Sequence, residues 1–261
     1  MYDLAAIDSA LAGTVFAGKL YFTGTTASTN SDALAAARDG ARHGSVYFAD
    51  EQTAGRGRGN HAWHSAAGEG LYVSVLLRPN LPAARVGLLP LAAGLAAAEA
   101  IREAAGLDID LRWPNDLLIG PHKTGGILIE AKTESERLLY AVLGIGINVH
   151  QHEFPSELAT PATSLDLAAG RRISRQSLLL ALLKSVEREV CALADAAASK
   201  AVLERLEQSS TWIRGRRVRV HGPQACEGVT AGLDEKGFLL VETTAGLVTV
   251  QTGGLRDAIA D

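Results

Sequence analysis

The chain has 261 residues, 47% of them hydrophobic and 21% charged, with a formal net charge of −4. That length buries a sizeable core in one or two domains, and the balance is that of a soluble globular protein. The acidic balance gives no global basic field for nucleic acid, and Cys191 and Cys226 are too few for a disulfide framework, which points to a reducing cytosolic setting.

The N-terminal residues include Asp3 and Asp8 and lack a basic start followed by a long apolar core, so no secretory signal is read there. Asn30 or Ser31 is the expected cap of a helix running through Ala33, Leu34 and Ala37 and stopping at Gly40. Residues 45–49 (SVYFA) form a short apolar strand. Directly after it, residues 51–63 read EQTAGRGRGNHAW. The glycines let this loop approach a ligand closely. Arg56 and Arg58 add fixed charge and planar donor forks suited to phosphate or carboxylate.

A strand is expected over residues 71–77 and a long alanine-rich helix over 85–105. The apolar run 86–98 contains Pro90 and is too short to span a bilayer, so it is read as part of a buried helix. Strands follow near Leu111, Leu117, Ile127 and Val142, with Pro114-Asn115-Asp116 as turn chemistry before a strand that begins at Asp116. A second turn, Gly120-Pro121-His122, leads to Lys123 beside Gly125-Gly126, where a compact mobile charge meets a ligand lying across the strand. Residues 143–149 (LGIGINV) put Gly144 and Gly146 on one face, a pattern that marks close approach of a ligand or backbone, and Asn148 closes the strand. Helices are expected over 174–198 and on to about Gln208. After Trp212 short strands alternate with Gly- and Asp-rich turns, the texture of a small barrel, and the boundary falls near Gly215. Residues 120–124 (GPHKT) lack the upstream glycine and spacing of a phosphate-binding loop, and the alternating His150 and His152 could chelate a metal but have no Cys or acidic residue that converges on them in a ligand motif.

Ser28-Thr29-Asn30, the Gln52-to-Arg58 loop, Trp113-Pro114-Asn115-Asp116, Lys123 with Gly126-Ile127-Leu128, and Gly144-Ile145-Gly146-Ile147-Asn148 occur in the order seen in biotin–protein ligases. Each motif is weak alone; five in register resemble that family closely, from residue 28 to the C-terminus. The resemblance implies an α+β fold. Residues 1–214 would form a catalytic domain of the class II aminoacyl-tRNA synthetase and biotin ligase kind, a mixed β-sheet flanked by helices. Residues 215–261 would form a small SH3-like β-barrel.

The resemblance also implies a reaction. Biotin and ATP, with Mg²⁺, give biotinyl-5′-AMP, and a lysine of a biotin carboxyl carrier protein then takes the biotin. Lys123 and Arg58 would be catalytic. Biotin would lie on Ser28, Thr29, Asn30, Gln52, Arg56, Gly57, Arg58, Lys123, Gly126, Gly144 and Gly146. ATP would lie on Arg56, Arg58, Trp63, Asn115, Asp116, Lys123 and Asn148, with Trp63 stacked on the adenine; core packing is the plainer role for that tryptophan. Where the family commonly has a second glycine and a third basic residue, this chain has Asn60 and His61. Asn tolerates a left-handed turn, and His61 makes substrate binding more pH-sensitive.

With the first motif at residue 28, no room is expected for the DNA-binding winged helix of bifunctional members. The implied protein is cytoplasmic, with neither DNA nor membrane as partner, and a homodimer stays open. Two alternatives differ in class. One is a lipoate ligase or related acyltransferase of the same fold, against which the GRGR loop stands. The other is an RNA-binding module, disfavoured by the net acidity and by only three Trp, five Tyr and five Phe for base stacking.

Overall fold

Two sheets organise the computed structural model, which describes residues 2–258. The first contains β1 (Leu20–Thr26), β2 (Ser45–Gln52), β3 (Gly70–Leu77), β4 (Asp110–Arg112), β5 (Asp116–Ile119), β6 (His122–Glu134) and β7 (Arg137–Asn148), in the order β1-β2-β3-β7-β6-β5-β4. β1 pairs parallel with β2 and the other neighbours pair antiparallel, so the sheet is mixed as expected.

β3 lies mid-sheet, and all eight of its residues are buried. Its period-two alternation divides two faces. Ser74 and Leu76 face α2 (Thr29–Arg38), where Leu76 packs with Ala33, Ala37, Tyr140 and Val142. Val73, Val75, Leu143 and Ile145 join the main core with α3 (Leu89–Ala105) and α5 (Arg175–Cys191). α3 opens with Pro90 in its first turn, where the missing amide costs no bond, and stops at Gly106 in the left-handed conformation, φ 73°. Residues Ala83–Ala105 are long and apolar enough to cross a membrane, yet much of this stretch is core, packed on α5 and the sheet.

The second sheet, β8 (Arg214–His221), β9 (Cys226–Leu233), β10 (Leu239–Thr243), β11 (Gly246–Val250) and β12 (Gly254–Asp257), is antiparallel in the order β11-β10-β9-β8-β12. It has the strand content of the small barrel expected from the sequence. It docks on the first unit through named contacts: Trp113 Nε1 donates to the Gly237 carbonyl at 3.0 Å, and the Leu233 amide donates to Glu207 at 3.0 Å.

Several elements differ from expectation. The helix expected from residue 85 begins at Leu89, because residues Ala83–Leu88 wind as a tighter 3₁₀ turn. The helix expected to be capped by Asn30 or Ser31 starts at Thr29 with Ser28 in the cap position. The helical stretch after residue 174 is α5, a 3₁₀ turn, and then α6 (Ala196–Ser209), capped by Asp195. α1 (Leu4–Ala10), β1, α4 (Leu165–Ala169) and β12 carry no signal that the sequence reading used.

Candidate active site

The start of α2 supplies the first wall. Ser28 sits extended at the cap position, and its hydroxyl makes no capping bond. Thr29 donates its amide to Gln52 Oε1 at 2.9 Å, and Gln52 Nε2 donates to Ser65 Oγ at 2.8 Å. Ser74 Oγ donates to Asn30 Oδ1 at 2.6 Å and lies 2.8 Å from Thr29 Oγ1, whose one proton also has Gln52 Oε1 as an acceptor at 3.1 Å. Asn30 Nδ2 donates to Glu130 Oε2 at 2.9 Å. Ser28, Thr29, Asn30, Ser65 and Ser74 are buried, which makes this a desolvated, nearly fully partnered polar network.

The basic loop forms the second wall. It folds back on itself: the Trp63 amide donates to the Gly55 carbonyl at 2.9 Å and the Gly57 amide to the His61 carbonyl at 2.7 Å. Gly59 takes the left-handed conformation at φ 62°, so the turn is made by the glycine this chain keeps. Arg56 forks onto Glu130 at 2.7 and 3.1 Å. Arg58 has three neutral acceptors: Asn115 Oδ1 at 3.2 Å, the Gly253 carbonyl at 3.0 Å and Thr252 Oγ1 at 2.8 Å. Burial draws the Arg58 pKa down and the Asp116 charge opposes it.

On the sheet, Lys123 Nζ is 2.5 Å from Asp116 Oδ1, while Arg112 holds Asp116 Oδ2 at 2.6 and 3.0 Å. Burial alone would raise the Asp116 carboxyl, but Lys123 and Arg112 outweigh it and hold it below the usual carboxylate range. Asn115 Nδ2 donates to the Ile127 carbonyl and Asn148 Nδ2 to the Thr163 carbonyl, which fixes both amides. Trp63 lies against the sheet with Lys123 Nζ 5.6 Å from its ring centroid, and its Nε1 is buried without a partner.

The strand glycines give a correction. They were expected to let a ligand lie on the strands. A Cβ on Gly144 would stand 2.1 Å from Asn30 Oδ1, and one on Gly146 would stand 2.6 Å from the Trp63 indole. The cleared space is filled by these two side chains, which themselves face the cavity.

All fifteen residues expected at the site line one cavity of about 1180 Å³. Pockets for a single small molecule typically measure ~300–1,000 Å³, so this one has room for two ligands side by side. Arg56, Arg58, Arg112, Lys123 and Arg256 line it, against one carboxylate, Asp116, among the described residues. Arg58, Arg112, Lys123 and Arg256 gather around Asp116, whereas Arg56 joins the neutral polar network through Glu130. His150 instead pairs with Asp166 at 2.8 Å, away from the cavity wall.

The sequence reading missed Ser65, Tyr72, Ser74, Glu130, Arg112 and Arg256. Two had a usable signal: Ser74 is a buried polar residue inside an apolar strand, and Glu130 shares the face of Gly126 and Leu128 by alternation. Arg256 comes from the second sheet, and nothing local in the sequence marks it.

Residues 24–148 match the Biotin/lipoate A/B protein ligase family. The bifunctional ligase/repressor BirA of Bacillus subtilis is 36% identical over 239 residues, covering 90% of this chain and 73% of that protein. The biotin–[acetyl-CoA-carboxylase] ligase of Mycobacterium tuberculosis is 34% identical, covering 87% and 85%. The biotin protein ligase of Aquifex aeolicus, solved in complex with biotin and ATP, superposes with a TM-score of 0.79 at 30% identity, over 92% of this chain and all of that one. Five motif segments gathered on one cavity, in a chain this similar to those proteins, belong to a member of the biotin–protein ligase family.

Proposed function

We propose that the cavity activates biotin with ATP and passes it to a protein lysine. The observation that carries this reading is one cavity lined both by the neutral polar network and by a cluster of cations that includes Lys123. Biotin pairs a neutral ureido ring with an apolar body and one carboxylate. Ser28, Thr29, Asn30, Gln52 and the backbone at Arg56, Gly57 and Arg58 hold the ring, while the body lies over Gly126 and against the Asn30 and Trp63 side chains that cover Gly144 and Gly146.

The carboxylate then points to Lys123. One of its oxygens attacks the α-phosphorus of ATP and pyrophosphate leaves, giving biotinyl-5′-AMP. The obstacle is repulsion between two anions, and oriented cations in a water-poor site offset it. Lys123 spans the junction and Arg58 steadies the adenylate. Arg56, Trp63, Asn115, Asp116 and Asn148 complete the nucleotide side, and Trp63 covers the adenine. Among the described residues no three His, Cys, Asp or Glu side chains converge to hold a metal ion. Asn115, Asp116 and Asn148 would face the Mg²⁺ of the nucleotide, and the ion would supply charge to offset that of the phosphates.

In the second step a lysine amine attacks the acyl carbon, and AMP leaves. The acceptor is the biotin carboxyl carrier protein of acetyl-CoA carboxylase, a reading supported by the names of the related ligases. The enzyme works in the cytoplasm without DNA, and it forms a homodimer if any oligomer. Residues 1–214 act as the catalytic unit and 215–261 as a second unit that closes the site, a division supported by the start of β8 at Arg214.

Pyrophosphate exchange with biotin against lipoate tests the reading. Exchange that depends on biotin and ignores lipoate is the expected result; equal exchange with lipoate would move the chain to the sister ligases.

A further inference from the structure

The geometry points to Glu130 as a positioning residue that holds the basic loop and the start of α2 in register before substrate arrives. Its carboxylate sits on β6, beyond the stretch that pairs with β5, and receives three donors. Arg56 Nη1 reaches Oε1 at 3.1 Å and Arg56 Nη2 reaches Oε2 at 2.7 Å; Asn30 Nδ2 reaches Oε2 at 2.9 Å. A two-pronged guanidinium–carboxylate pair fixes orientation as well as distance.

Both partners lead to substrate-facing groups. Asn30 fills the space over Gly144 and accepts from Ser74, which touches Thr29. Arg56 sits between Gly55 and Gly57, at the base of the turn that carries Arg58 and Trp63. One carboxylate thus joins two segments far apart in sequence to a third.

An ordinary surface ion pair contributes little, so the competing view is that this one is incidental. Three features separate it from that class. The Glu130 side chain is 27% exposed, its third donor is the buried Asn30, and both donor forks of Arg56 end on it. There is also a consequence for charge. Arg56 meets a carboxylate, whereas the three partners of Arg58 are all neutral.

The inference rests on the biotin-activating reading, and its test separates the two. In the full chain, Glu130→Gln keeps the shape and loses the charge, while Glu130→Asp keeps the charge. Amide exchange over residues 55–63 without ligand reads loop order directly and needs no assumption about substrate. Biotin KM and kcat come from pyrophosphate exchange, and thermal melting checks the fold. Glu130→Gln should speed loop exchange and raise biotin KM by roughly tenfold with kcat little changed, and Glu130→Asp should recover part of both. Unchanged loop exchange in Glu130→Gln, or an Asp variant no better than the Gln variant, overturns the proposal. If wild type shows no biotin-dependent turnover, the functional reading fails while loop exchange still decides the role of Glu130. Should Glu130→Gln melt below the assay temperature, wild type alone decides: salt screens a partly exposed pair, so loop exchange should quicken as ionic strength rises, and salt-independent exchange refutes the clamp.

Discussion

Lys123 spends its charge on Asp116 in the ligand-free protein, 2.5 Å away, and Arg112 shares the same carboxylate. Incoming anions therefore compete for a lysine already oriented at their junction. Lys123→Ala should lower adenylate formation about 100-fold or more, roughly 3 kcal/mol of transition-state stabilisation, as read by pyrophosphate exchange. Asp116 has a second consequence. Its carboxyl is held below the usual range, so the stability it contributes is present above about pH 4 and is lost as pH falls through the depressed value. Asp116→Asn should flatten the dependence of melting temperature on pH below about pH 4, and an unchanged slope would mean that Lys123 and Arg112 do not stabilise the ionised form. Gly144→Ala is the third test at this scale. Its methyl would lie 2.1 Å from Asn30 Oδ1, so biotin affinity should drop about tenfold or more by calorimetry while the fold survives.

Between elements, Glu189 of α5 stands out: its side chain is 5% exposed and it receives Arg188 and, from α6, Arg205. Burial works against its charge, but the hydrogen bonds and charges of the two arginines hold its pKa below the usual range. Glu189→Gln should destabilise the fold by about 1–3 kcal/mol in chemical denaturation, less than for a fully buried pair because Arg205 can turn to solvent. The elements differ in how far the sequence reveals them. β2, β3, β6 and β7 are apolar runs bounded by turn residues, and their character is local. β1 is LYFTGTT on the sheet edge, mostly exposed, so no buried face writes a pattern into it. α1 and α4, at seven and five residues, are too short to show a helical period. The 3₁₀ turn before α3 has a distant neighbour: a Cβ on Gly87 would meet the Lys236 carbonyl at 2.8 Å, a contact no local window contains. The site divides the same way. Ser28, Lys123 and Asn148 stand in motifs with recognisable neighbours, whereas Ser74 matters because its register sets it opposite Gly144, and Arg256 because a second sheet brings it in.

Across the molecule, the basic loop grows from one sheet and is held by the other, since Arg58 bonds Thr252 and Gly253 while Trp113 bonds Gly237. A chain stopped at residue 213 keeps every strand of the first sheet but uncovers Trp113 and loses two of three Arg58 partners. It should melt at lower temperature and fail to label an acceptor; normal labelling would remove the second sheet from the reaction. With both sheets present, biotin plus ATP should slow amide exchange over residues 53–67, because little apolar surface anchors that glycine-rich turn. Equal exchange with and without ligand would show a rigid loop. The split walls also bear on synthesis. Ribosomes deliver the first sheet, through Asn148, long before Thr252 and Gly253, two of the three groups that hold Arg58. The basic wall is therefore the last part of this site to be finished on the ribosome, because Arg58 has only one of its three partners until the second sheet is made.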